Sequence, residues 1–214
     1  MFWITGDVQA LIGFKQLGVS VESADVSAVS LPKFQDAMKA AMLATGEAVA
    51  KGATTVVVDT VSAIDVKITA DHISRGAERF DLYRAVLHAH TKFELFLNTL
   101  EANIIYLCHS KAVLDQPGTS DAAKAASEAK ALKEIAAGTS DVIPAITGAA
   151  LNLYRGDVSL EFAVTREKRG APPVDGFWFH SAHAEMDTKA RFILPRVMPA
   201  DWRVVRQLCG LEAA

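Results

Sequence analysis

Apolar positions along this chain follow two patterns: short unbroken runs, and longer stretches with helical spacing. The clearest run is Ala53-Thr54-Thr55-Val56-Val57-Val58-Asp59-Thr60-Val61-Ser62, where two threonines lead into three valines. β-Branched side chains are stiff at χ1 and favour an extended backbone. Apolar and polar residues do not alternate here, so both faces are apolar, as in a central strand of a sheet covered on two sides. Asn103-Ile104-Ile105-Tyr106-Leu107-Cys108-His109-Ser110 has the same character. Phe2-Trp3-Ile4-Thr5 is a shorter strand ended by Gly6-Asp7, and Val26 to Leu31 is a further β-like stretch.

Helical spacing appears between these runs. Pro32 suits a first helical turn, and Phe34, Met38, Ala41, Met42 and Val49 then mark one stripe, stopped by Gly52. Phe80 to Leu100 is the strongest helix, with Leu82, Val86, Phe93, Phe96, Leu97 and Leu100 on one broad face. Leu11 to Val21, with Gly13 and Gly18, holds a short turn or helix, and the polar residues 65–76 form a loop or short helix. Ser120-Asp121 can cap an alanine- and lysine-rich helix through Ala137, stopped by Gly138. Val158 to Thr165 and Phe177 to His180 read as strands, joined from Arg166 to Gly176 through Gly170, Pro172 and Pro173. A terminal helix from Asp201 carries Trp202, Val205 and Leu208.

Two unbroken strands separated by one long helix predict a parallel pair, with Asp59 and His109 at the same end of the sheet. The expected fold is therefore α/β: a mostly parallel central sheet flanked by helices, with a C-terminal β-hairpin and helix.

Composition narrows this picture. A chain of 214 residues suits one substantial domain. No apolar run approaches the ~20 residues that span a bilayer, so no membrane partner is expected. Met1-Phe2-Trp3-Ile4 lacks the basic start of a secretory signal. Cys108 and Cys209 provide no framework of bridges, which makes a reducing cytoplasm the expected compartment. A net charge of −3 excludes a global basic field, so any nucleic-acid contact must come from a local patch.

The candidate chemistry sits at strand ends. Ligands of open α/β sheets bind at the carboxyl ends of strands. Asp59 followed by Thr60 suits holding Mg²⁺ and its waters beside a nucleotide; Asp59 also suits capping a buried strand and starting a turn. His109 can hydrogen-bond a phosphate oxygen, or cap its strand. His88 and His90 lie two apart on a helix and read as surface or satisfied residues. The pair Cys108-His109 matches no common zinc spacing, and His180 and His183 with Glu185 and Asp187 resemble a metal cluster only superficially. Lys111, Lys124, Lys130 and Lys133 form a modest basic set diluted by Asp121, Glu128 and Glu134. It reads as a solvated helix face or as a DNA-contact loop.

Together these parts resemble the core of RecA-like NTPases, most closely the phage RecA-like ATPases of single-strand annealing and recombination. The residues that carry the resemblance are Thr54-Thr55-Val56-Val57-Val58-Asp59-Thr60 as a Walker B strand and Asn103-Ile104-Ile105-Tyr106-Leu107-Cys108-His109. Pro144 with Gly148 before a strand, and Lys189-Ala190-Arg191 before Pro195, also fit. The resemblance covers most of residues 1–211 and implies a single RecA-like NTPase core over 1–214. It implies ATP and Mg²⁺ as cofactors, with Asp59 holding the metal's water shell, Thr60 beside it, and His109 sensing the γ-phosphate. Asp7 stands where the family often has an acidic residue that orients water. Lys189 and Arg191 would reach a neighbouring subunit's phosphates as an arginine finger does; Arg166 and Lys168 compete for that role. Lys111, Lys124, Lys130 and Lys133 would contact single-stranded DNA, and the protein would act as a homo-oligomer in the cytoplasm, that of the host cell if phage-encoded.

One departure is clear. The phosphate-cradling loop of the family, G-x-x-x-x-G-K-[ST], does not occur in these residues; Gly6 to Lys15 and Gly46 to Lys51 lack its spacing. The resemblance therefore implies a core shortened by a unit of roughly 30 residues at its amino end. Two functions follow: an ATP-dependent DNA recombination or annealing factor, or a non-catalytic RecA-like scaffold that binds DNA or a partner without hydrolysis.

Overall fold

The structure, a computed structural model, describes residues 1–6, 21–112, 142–144, 153–154, 160–182 and 188–210. They belong to two compact units, Met1–His109 with Pro144–Gly156 and Ser110–Ile143 with Asp157–Ala214.

The first unit is a parallel sheet with helices against it. Its strands are β1 (Phe2–Thr5), β2 (Glu22–Asp25), β3 (Thr55–Asp59) and β4 (Asn103–Leu107), in the spatial order β2-β1-β3-β4. All three pairings are parallel, and Asp59 lies in register with Thr5 on one side and Leu107 on the other. The expected pairing of the two unbroken apolar strands is thus present, with Asp59 and His109 toward the same end. Phe2, Ile4, Val56 and Val58 share one face of the sheet and one core cluster with three helices. These helices are α1 (Leu31–Ala50), α2 (Val61–Ser74) and α3 (Arg79–Asn98). Trp3 and Val57 lie on the opposite face and are buried as well.

Local chemistry explains the helix boundaries. Pro32 lies in the first turn of α1, and Phe34, Met38, Ala41, Thr45 and Ala48 form its buried stripe. Gly52 adopts a φ of +102°, which costs a glycine little, and the Gly52 and Ala53 amides close the helix onto Val49 and Ala48. Three expectations change. The strand beside β1 is the polar segment 22–25 rather than Val26 to Leu31, because an edge strand is held by its backbone ladder and needs no apolar run. β4, expected as a strand buried on both faces, is the other edge strand of this sheet and is at most half-buried. Residues 65–76, expected as a loop or short helix, lie mostly in α2, whose stripe is broken by two buried aspartates. Asp71 takes hydrogen bonds from Gln35 (3.0 Å) and Arg75 (3.1 Å).

Asp65 supports a network through the core. His90 is fully buried, with Nε2 2.8 Å from Asp65 Oδ1 and Nδ1 3.0 Å from the Tyr154 hydroxyl. A neutral imidazole donates from one nitrogen and accepts at the other, so Nε2–H donates to Asp65 and Tyr154 O–H donates to Nδ1. Tyr154 meets the Tyr106 ring edge-on at 4.9 Å between centroids. The satisfied reading of His90 is correct.

The second unit is made of short strands and a hairpin. β5 (Ser110–Ala112) pairs with β6 (Val142–Pro144), and β7 (Leu160–Glu161) with β10 (Lys189–Ala190). β8 (Ala163–Arg169) and β9 (Val174–His180) form a hairpin, and β11 (Val197–Pro199) adds to β9. α4 (Trp202–Leu208) follows, with Asp201 accepting from the Arg203 amide (2.9 Å) at its start. The hairpin and terminal helix agree with expectation, but the strands run further, so Arg166 and Lys168 lie within β8 and not in the connection. Among the described residues, no helix is long and apolar enough to cross a membrane.

The core network makes a testable demand. Asp65→Ala strands a buried ring donor and should cost about 1–3 kcal/mol in urea unfolding. Tyr154→Phe should cost about 1 kcal/mol at neutral pH. Burial, followed by the nearby Tyr106, Glu94, Cys108 and Asp65, pushes the Tyr154 phenol well above its ordinary value. A raised value favours the neutral phenol in the folded state, so its stabilisation is complete below the unfolded tyrosine value of about 10 and is lost as pH rises beyond it. Stability of Tyr154→Phe should therefore fall less steeply above about pH 10 than that of the parent. Parallel curves would contradict this assignment.

Candidate functional site at the carboxyl edge of the parallel sheet

From β1 the chain proceeds to β2 on one side, then returns to β3 on the other side of β1 and continues outward to β4. The order therefore reverses between β1 and β3, and in open α/β sheets the crevice outside such a reversal is where ligands bind. The residues at this point are Thr5 and Gly6 from β1, and Asp59 and Thr60 from β3.

Close approach is built into the crevice. Gly6 N–H donates to the Asp59 carbonyl (2.8 Å). A Cβ on Gly6 would stand 2.9 Å from Ile64 Cγ1 and 3.1 Å from the Thr60 carbonyl oxygen, so only glycine lets β1 leave the sheet against the start of α2. The Asp59–Thr60 peptide is cis. Thr60 is buried and caps α2, its hydroxyl accepting from the Ala63 amide (3.2 Å). Its oxygen has a structural task that the sequence did not specify. The Thr5 hydroxyl, in register with Asp59, is 1 % exposed and has no hydrogen-bond partner among the described residues.

His109 lies two residues beyond the end of β4, and its side chain is exposed. Its amide donates to the buried Ser62 hydroxyl (3.0 Å). Ser62 lies in the first turn of α2, so the ends of β3 and β4 are joined by a side chain as well as by the sheet. At the far edge, Asp25 receives the amide (2.7 Å) and hydroxyl of Ser27, and Lys67 from α2 donates to the carbonyls of Val26 (2.6 Å) and Ser27. Burial lowers the Lys67 ammonium below its ordinary value, and Asp25 partly offsets that effect. Sequence reasoning missed Thr5, Ser62, Asp25 and Lys67. Asp25, as a carboxylate ending a strand, had a visible signal; the others did not.

Asp7, Lys124, Lys130 and Lys133 lie outside the described residues, as do His183, Glu185 and Asp187. Lys111 lies in β5 and Lys189 in β10. Arg191 is exposed just beyond β10. His180 belongs to β9, where its Nε2 lies 2.7 Å from Thr165 Oγ1 and 3.0 Å from Glu167 Oε1. No group of three or more metal-ligating side chains occurs among the described residues.

Magnesium takes oxygen ligands and usually keeps several waters, binding through one or two carboxylates plus substrate phosphates. Asp59 and the Thr5 hydroxyl are an oxygen donor set that fits such an ion through its water shell. They provide no amide cradle for a phosphate chain.

The close approach at Gly6 is open to measurement. Gly6→Ala should cost about 1–3 kcal/mol, because the methyl group meets backbone as well as the Ile64 side chain. Chemical denaturation should show a lower midpoint with an unchanged slope. An unchanged midpoint would mean that the crevice is looser than described.

No family model, curated protein or solved structure matches this chain.

Proposed function

We propose that this chain is the RecA-like core of a phage-type ATPase of DNA recombination or single-strand annealing, acting as an oligomer on single-stranded DNA. The observation that supports this reading is the position of Asp59. Its carboxylate ends a doubly buried strand at the point where strand order reverses, beside the buried Thr5 hydroxyl, which has no hydrogen-bond partner among the described residues. In this reading Asp59 orients the waters of a Mg²⁺ ion, and the bound ion would neutralise nucleotide phosphates. Thr60 holds the start of α2 behind the carboxylate. His109 approaches the terminal phosphate, and its link to Ser62 passes any movement to α2. Asp7 orients water, and Lys189 and Arg191 serve a neighbouring subunit's site, with Arg166 and Lys168 as the alternative pair. Lys111, Lys124, Lys130 and Lys133 contact the DNA.

A second reading, a scaffold that does not hydrolyse ATP, is favoured by one observation. G-x-x-x-x-G-K-[ST] does not occur in these 214 residues. Phosphoryl transfer depends on positioning and charge stabilisation, which that loop supplies through its amides and lysine.

The expected behaviour of the chain is weak, Mg²⁺-dependent ATP binding with phosphate release near background. Asp59→Ala should remove the Mg²⁺ dependence of binding. Titration with a fluorescent ATP analogue, with and without Mg²⁺, and a phosphate-release assay with and without single-stranded DNA check both points. Robust turnover insensitive to Asp59→Ala would place the nucleotide elsewhere, and Mg²⁺-independent binding in the parent would remove the metal role of Asp59.

A further inference from the structure

In an antiparallel pair, residues directly opposite share a face. The β8–β9 register places Thr165 opposite Trp178, and Ala163 opposite His180, on one face with Glu167 and Arg169. Most polar groups of that face are paired with one another, although the Arg169 Nε is buried without a hydrogen-bond partner among the described residues. Glu167 accepts from Thr165 (2.7 Å) and pairs with Arg169 (3.0 Å), and the Arg169 guanidinium lies over the Trp178 ring (5.8 Å). Trp178 Nε1 donates to the Glu167 carbonyl (3.1 Å).

The opposite face is built differently. It carries Val164, Arg166 and Lys168 from β8 and Phe177 and Phe179 from β9, with Asp175 across from Lys168. Its inner end is packed: Phe179 stacks on Phe162 (5.1 Å between centroids), and Met198 of β11 lies buried beside it. Its outer end is open. Phe177 is 61 % exposed, directly opposite Arg166; at the packed end Val164, opposite Phe179, is still 53 % exposed. Arg166 meets Asp175 at 3.0 Å, but both side chains are well exposed, and such pairs are weak in water. Lys168 makes no ion pair with a described residue.

We propose that this face binds single-stranded nucleic acid, with the Phe177 ring stacking on a base and Arg166 and Lys168 contacting the flanking phosphates. Charge supports that occupant: two cations face one carboxylate here, on a chain whose net charge is −3. The two cations sit two residues apart, about 6.8 Å along the strand, on the same side as the ring. An exposed ring beside a row of cations is the arrangement by which sheets hold unpaired strands without reading sequence. Size argues against a protein occupant. The open apolar area is two side chains, whereas a stable protein interface buries roughly 800 Å² on each partner. The inference rests on the proposed function only for the expectation that the strand is DNA.

The test is fluorescence anisotropy with labelled oligo-dT and oligo-U of about 20 nucleotides, longer than a typical binding site. The full chain is compared with Phe177→Ala, Phe177→Trp and Arg166→Ala/Lys168→Ala over a salt series, with sedimentation as the control for assembly. Phe177→Ala should weaken binding on the order of tenfold while Phe177→Trp retains it, since stacking on each base is worth about that much. The double variant should weaken binding and reduce the salt slope by about 1.4, for two phosphate contacts to a single strand. Tighter binding of oligo-dT assigns the face to DNA, and tighter binding of oligo-U assigns it to RNA; either supports the face. Unchanged affinity and salt slope in the variants of a protein that binds the oligonucleotides would overturn this inference alone. No binding by the parent would overturn it together with the DNA part of the proposed function, leaving Mg²⁺–nucleotide binding at Asp59 to be judged separately. A loss of affinity accompanied by a change in oligomeric state would assign the face to contact between copies and overturn it.

Discussion

A strand buried on both faces can display chemistry only where it ends. β3 meets that constraint fully: Val56 and Val58 lie in the helix-facing core, and Val57 is buried on the other side. Nothing along such a strand can reach a ligand, so Asp59 is the first residue of β3 able to do so. The surrounding structure depends on this. β1 must leave the sheet close beside it, which requires glycine at position 6, and α2 must start at once, which requires a cap at Thr60. The crevice is therefore shaped by packing needs that precede any ligand.

Much of this was legible in the sequence, for a physical reason. β3, α1 and α3 are defined by what they bury, and burial leaves a trace as an unbroken apolar run or a helical stripe, whereas the apolar run of β4 overstated the burial of an edge strand. α2 left no such trace because Asp65 and Asp71 occupy buried positions. Their partners, His90 on another helix and Gln35 36 positions before Asp71, are invisible to any local window. β2 was misplaced because the stability of an edge strand lies in its backbone ladder. At the site, a strand-end carboxylate and imidazole could be read directly. The burial of Thr5 and the bond between Ser62 and His109 could not, since both arise from strands meeting across the sheet. The hairpin followed the same logic: its existence showed in turn residues, while the placement of Arg166 and Lys168 on an open face emerged only from the register.

The two units handle polar groups in contrasting ways. In the first, Asp65, His90 and Tyr154 are withdrawn from water and must satisfy one another, which fixes the helices carrying them in one arrangement. In the second, one face of the hairpin is internally paired and the other leaves a ring and two cations to solvent. Interaction capacity accumulates where internal pairing stops.

The place of β1 in the sheet also sets an order of events. Phe2, Trp3 and Ile4 form an inner strand, flanked by β2 and β3, yet they are synthesised well before the second of these neighbours. Val56 to Asp59 follow more than fifty positions later, and parallel pairing over such separations is slow because the intervening loop must close first. At a synthesis rate of about 5–20 residues per second, this apolar segment waits for seconds before its second neighbour exists. During translation, then, a chaperone that recognises short aromatic runs would meet Phe2-Trp3 while the sheet is still incomplete, and the yield of folded protein would depend on how long that segment stays shielded.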